Sequence, residues 1–142
     1  MPTLTPLAYD SFPAGRLGVA LLAFRLFVGI AFVLHGMGRI RDVPGFAAMY
    51  HLSHRLALAA KLTQIVGGVL LVVGFLTPLA GLSIAATMVK AVLFLRQKNE
   101  PFINPTGHSW EGAAFYLMAG VVIALLGPGR YSIDAVLFAG IT

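Results

Sequence analysis

Four long apolar runs, divided by short polar or proline- and glycine-containing breaks, organise this chain. They cover about residues 17–38, 56–76, 78–95 and 111–126. Within each run the apolar positions are continuous rather than alternating, a pattern that suits helices and not the strands of a membrane barrel. A hydrocarbon layer about 30 Å thick takes roughly 20 helical residues to cross, so the runs are read as four transmembrane helices. The breaks have clear chemistry. Thr77-Pro78 makes a tight reversal, with proline suited to a helix start. Gly127-Pro128-Gly129 stops the fourth helix, and the segment 96–110, with Pro101, Pro105 and Gly107, is a loop.

Two shorter segments complete the pattern. In 42–55, Pro44 opens a short helix with Phe46, Met49 and Tyr50 on one side; it is too short to span and is expected to lie at the membrane interface. The stretch 132–141 is apolar but short, and is expected to form a half-helix packed on the bundle. The predicted architecture is therefore all-α: an integral membrane four-helix bundle over residues 17–135, with a short interfacial helix after the first crossing and a short C-terminal helix. Residues 1–16 and 136–142 are read as tails.

Composition agrees with that reading. Of 142 residues, 58% are hydrophobic and 11% charged, with a mean hydropathy of +0.89. A soluble domain carries about a quarter charged residues, so lipid is the solvent this surface fits. Ten Lys and Arg stand against five Asp and Glu. Bases in short loops orient membrane helices, which makes the bilayer, and not nucleic acid, the expected partner of this charge. The first and third connections hold Arg39, Arg41, Arg55, Arg96 and Lys98; the opposite side has Arg16 and Arg130. Both termini are thus expected on the non-cytoplasmic side of a bacterial inner membrane. The N-terminal segment has Pro2, Pro6 and Pro13 with no basic cluster ahead of an apolar core, so the first helix is expected to act as an uncleaved anchor.

Lipid gives helices no hydrophobic reason to associate, so small residues at packing spacing mark the seams. Gly29 and Gly36, Gly67 and Gly74, and the pair Gly81 and Ala85 are candidates. Ionisable groups inside the apolar runs are more informative, since a charge at a helix centre costs about 2.5–3.5 kcal/mol on insertion scales. Arg25 lies well inside the first helix, and a structural ion pair among Arg25, Arg130 and Asp134 would answer it if the C-terminal segment folds back. A second group gathers at the other end: His35 and Arg39, then Lys61 and Gln64 on one face, Lys90 on a stripe with Ser83 and Thr87, and Glu111 at the start of the fourth helix. Arg25, His35, Lys61, Gln64, Lys90 and Glu111 are the candidate ligand-binding residues. Their excess of positive charge favours an anion, a lipid head group or a quinone oxygen.

The chain has no cysteine, which excludes an internal disulfide, a thiolate metal site and thiol redox chemistry. Any electrons must be carried by a bound molecule or a partner. The histidines suggest neither haem nor a structural metal: His35 and His108 fall at the membrane edge, and His51 and His54 stand in a loop without a carboxylate or cysteine. No metal and no covalent cofactor are expected.

Taken together, these features resemble the DoxX family of small four-helix membrane proteins. The similarity rests on Arg25 with Gly29, His35-Gly36 followed by Arg39, and Gly45-Phe46. It continues through Gln64-Ile65-Val66-Gly67-Gly68, Gly74-Phe75-Leu76-Thr77 and Glu111, and ends in Gly127-Pro128-Gly129-Arg130-Tyr131-Ser132-Ile133-Asp134. Gln64 stands where such proteins often carry glutamate, removing a possible proton acceptor. Arg39 replaces a common lysine, and Lys90 is unusual in the third helix. The resemblance implies membrane redox chemistry: the family name comes from subunits of thiosulfate:quinone oxidoreductase, and other members are linked to oxidative-stress complexes and to quinone or catechol resistance. The expectation is a membrane subunit of a quinone-linked oxidoreductase or redox-stress system, with no redox centre of its own, a polar intramembrane cavity that takes a quinone or an anionic ligand such as a lipid head group, and other membrane-protein subunits as partners. The alternatives are a non-catalytic accessory subunit and a small anion transporter.

Overall fold

The computed structural model describes residues 12–138, in which all regular structure is helical. The elements are α1 (Gly15–Ile40), α2 (Val43–Met49), α3 (His54–Val73), α4 (Thr77–Gln97), α5 (Glu111–Leu126) and α6 (Ile133–Phe138). Most of the expected N-terminal tail, and 139–142 of the C-terminal one, lie outside the described residues.

Length divides the apolar helices into two kinds. α1, α3 and α4 are long and apolar enough to cross a membrane, whereas α5 is a shorter apolar helix of 16 residues. At 1.5 Å per residue α5 reaches only ~24 Å. The turn that follows it completes the depth. Gly127, Pro128 and Gly129 are buried, and the chain then folds back as α6. Irregular backbone at membrane depth is tolerated only where protein covers it and its polar groups are met. Here the Arg130 amide donates to the Pro13 carbonyl at 3.0 Å and the Ser132 hydroxyl to the Gly129 carbonyl at 2.7 Å.

The outward surface is what a bilayer requires. Phe27, Phe115 and Leu125 are 72%, 66% and 73% exposed, a degree of apolar display that a water-soluble monomer does not tolerate. The chain is a helical membrane bundle. Its main interior cluster joins Val28 and Phe32 from α1, Leu71 from α3, Ile84 and Met88 from α4, and Ile123 from α5.

Glycines set how closely the helices approach. α1 packs chiefly on α3 and α4 chiefly on α5. At the first crossing a Cβ on Gly29 would lie 2.7 Å from the Gly68 carbonyl oxygen, and one on Gly68 would lie 2.7 Å from that of Gly29. At the second, Gly81 and Gly120 stand in the same relation, at 2.7 and 2.6 Å. Backbone thus meets backbone at both seams. Of the glycines expected at the seams, Gly29 and Gly81 are at these crossings, while Gly36 faces Ile65 of α3 and Gly67 faces Ser83 of α4; the partners Gly68 and Gly120 are additional to that expectation.

The connections differ in detail from expectation. The α3–α4 reversal is made by Gly74 and Leu76, with φ of 71° and 48°, and Thr77 is already helical. Asp42 caps α2, accepting from the Gly45 amide at 2.9 Å. On α2 the buried face is Val43 and Ala47 against Ala57, not the expected trio. Phe46 and Tyr50 do stack, with ring centroids 4.7 Å apart, but Met49 is exposed.

Candidate functional site

Polar residues concentrate at opposite ends of the bundle. At the α6 end, Arg25 is 1% exposed, ~15 Å along α1 from its start. Its Nη2 donates to the Tyr131 carbonyl at 2.7 Å. Nε and Nη1 have no hydrogen-bond partner among the described residues. Nη1 lies against Gly74, whose missing side chain leaves the space it occupies.

Asp134, fully buried, attracts Arg25 through space, yet its hydrogen bonds go elsewhere. Its carboxylate accepts from the Leu76 and Thr77 amides at 2.8 and 2.9 Å, and its own amide donates to the Gly74 carbonyl at 2.9 Å. The physical reason is local. Leu76 occupies the N-cap of α4 and offers no side-chain cap, so the first amides of that helix are orphan donors. An acid supplied from α6 satisfies them and complements the helix dipole. Within the expected trio, then, Asp134 meets backbone amides in place of a guanidinium hydrogen bond, and Arg130 is exposed. The missed cap left one trace in the sequence: a leucine where Ser, Thr, Asp or Asn is usual.

The α2 end holds a cavity of about 590 Å³ bordered by all of α1 to α5, a volume typical of small-molecule sites. His35, Lys61, Gln64 and Lys90 all line it. Glu111 does not; the wall is formed on either side of it, by Ser109 and Gly112. Arg25 belongs to the other end, so a single cavity uniting it with Lys61 and Lys90 is not what the fold builds. The antiparallel course of the helices is the cause, because Arg25 precedes His35 by about three turns of α1.

Lys61 is the focal residue. Although near the start of α3, it does not reach out to the interface: it is 0% exposed. Its Nζ donates to Gln64 Oε1 at 3.1 Å and sits 3.6 Å from the centroid of the Phe46 ring. The Lys61–Gln64 spacing of three residues is what lets one turn of helix hold this pair. Lys90 lines the same cavity from α4 and is exposed. Phe46, Tyr50 and Tyr116 add aromatic rings to a wall otherwise built mainly of small and aliphatic side chains. Tyr116 packs on Phe32 and His35, with centroids 5.5 and 6.4 Å away, and Tyr50 stacks on Phe94 at 4.4 Å. Tyr116 was missed in sequence, being one of two adjacent aromatics, with Phe115, in a long apolar run.

This arrangement suits a flat, mostly apolar molecule with an oxygen to offer. Rings supply matching faces, and an ammonium held at a wall away from bulk water stabilises charge developing on that oxygen.

Comparison with known proteins places the fold in a family. The DoxX family model matches residues 20–97. The chain belongs to the DoxX family. This DoxX protein is also 25% identical over 125 residues to a Bacillus subtilis (strain 168) protein named "Putative oxidoreductase CatD", a match covering 86% of the chain and 90% of that relative. No solved structure matches it significantly. The family match spans α1 to α4, and so includes His35, Lys61, Gln64 and Lys90.

Proposed function

We propose that this protein is a membrane subunit of a quinone-linked oxidoreductase system and that the α2-end cavity holds the quinone ring. The observation that carries this reading is Lys61: a fully buried ammonium, steadied by Gln64 and Phe46, on the wall of an aromatic-lined cavity. Burying a cation is costly in a membrane protein, and such groups mark functional sites. The relative's name, an oxidoreductase, points the same way. Two electrons and two protons turn a quinone into a quinol. The electrons are assigned to a redox-active partner subunit, since this chain has no thiol to carry them. Its own part is to bind and orient the ring and to stabilise the oxygen as it gains charge.

The test is equilibrium binding of 2-methyl-1,4-naphthoquinone to the protein in lipid nanodiscs. Losing a hydrogen bond from a charged donor costs about 1.5–3 kcal/mol, so Lys61→Met, similar in length, should weaken binding roughly ten- to hundredfold. Unchanged affinity in a folded Lys61→Met protein overturns the proposal.

We also infer that both termini face the non-cytoplasmic side of a bacterial inner membrane, because the α2 end carries Arg41, Arg55, Arg96 and Lys98 in its connections and the other end only Arg16 and Arg130. A C-terminal alkaline phosphatase fusion should be active; an inactive fusion alongside a fluorescent cytoplasmic reporter contradicts this orientation.

A further inference from the structure

Along the seam between α3 and α4 runs a second, shallower cavity of about 390 Å³. Its walls are apolar, with Leu62, Val66 and Leu70 from α3 and Leu79 from α4. Two hydroxyls border it, but neither offers a hydrogen bond to a ligand's polar groups as donor. Thr63 donates to the Ala59 carbonyl at 2.9 Å, and Ser83 to the Ala80 carbonyl at 2.8 Å. The groove therefore presents a hydrocarbon surface, ~10 Å long from Thr63 to Leu70 at helical rise.

Thr63 lines both this groove and the α2-end cavity. The two spaces are thus neighbours on one seam, polar and aromatic at one end and, but for the Thr63 and Ser83 hydroxyls, apolar along the other. The seam can open because α3 and α4 spend most of their packing on other helices, α3 on α1 and α4 on α5. It faces lipid: Leu62, Val66 and Leu79 are 46%, 53% and 46% exposed.

We propose that cavity and groove are the head and tail halves of one site, whose occupant is a lipid-borne quinone with a long apolar chain that enters sideways from the bilayer between α3 and α4. This rests on the reading of the cavity as a quinone site and adds to it the class of quinone. A chain leaving the ring at Lys61 runs past Thr63 into the groove, and whatever exceeds the groove continues into lipid. Since lipid is as apolar as the groove, the chain's contribution comes from packing and from aligning the ring, and not from escape from water.

A naphthoquinone bearing an isoprenoid chain with a photoreactive diazirine at its first isoprene unit tests this directly in nanodiscs. After irradiation, peptide mapping should find adducts at Leu62, Val66 and Leu79. Val66→Trp, a change on the lipid-facing side that the fold can accept, should remove them at least about fivefold while leaving binding of chain-free 2-methyl-1,4-naphthoquinone unchanged. Adducts concentrated on outer faces, such as Phe27 and Phe115, or unaltered by Val66→Trp, overturn the groove assignment and leave the ring site standing. Failure of the chain-free quinone to bind the wild-type protein overturns both.

Discussion

Asp134→Ala is expected to detach the C-terminal segment and to cost about 3–5 kcal/mol, the range for removing one member of a buried charged group. The residue is 0% exposed and links three parts of the fold. Its oxygens cap α4 through the Leu76 and Thr77 amides. Its backbone amide, bonded to the Gly74 carbonyl, fixes α6 to the end of α3. Its charge is also the one that attracts buried Arg25. Alanine leaves the Leu76 and Thr77 amides without their acceptor and leaves Arg25 without an opposing charge, its one hydrogen bond to the Tyr131 carbonyl remaining, at membrane depth where no water can replace the lost acceptor. Asp134→Asn should fall between, since it keeps an acceptor and loses the charge. Asp42→Ala at the exposed cap of α2 should cost only about 1 kcal/mol. Helicity followed through a titration from mild detergent into dodecyl sulfate measures all three. A loss below about 1 kcal/mol for Asp134→Ala would refute the capping role.

Gly120→Val is the second large effect, expected to separate α4 from α5 at a cost of about 3 kcal/mol, the upper part of the range for overpacking. A Cβ at this position would lie 2.6 Å from the Gly81 carbonyl oxygen and 2.9 Å from the Ala85 amide nitrogen. Both atoms are backbone and cannot swing aside as a side chain would, so the helices themselves must move. Because packing is what holds membrane helices together, the lost approach is not offset by burial elsewhere. Gly112 lies on the same helix and would meet nothing within 4 Å; Gly112→Ala should be neutral or stabilise by up to ~1 kcal/mol. The same titration distinguishes them, and equal stability of the two variants would contradict the glycine seam.

Much of this fold is legible in the sequence because lipid imposes a simple rule. Long uninterrupted apolar runs must be helices, and the polar breaks between them show where they end. The α5 run was legible down to its bounds at 111–126, but not the way its missing depth is filled, by a buried turn at Gly127-Pro128-Gly129. The grouping of His35, Lys61, Gln64 and Lys90 near one end follows from counting positions along antiparallel helices. Which charge answers which does not. Asp134 reads as the natural partner of a cation, but the uncapped amides left by Leu76 take its oxygens first. Partner glycines are hidden for a related reason: Gly29 and Gly81 announce small surfaces, but only the crossing geometry selects Gly68 and Gly120 to meet them. Tyr116 becomes part of a site only once α1 and α5 bring it beside Phe32 and His35.

Crystals grown from a lipidic phase in the presence of 2-methyl-1,4-naphthoquinone test the ring site most directly. The account predicts density for the ring among Phe46, Tyr50 and Tyr116, with one oxygen within hydrogen-bond reach of Lys61 Nζ. An unfilled cavity at saturating quinone, or a ring bound instead beside Arg25 at the opposite end, would contradict it.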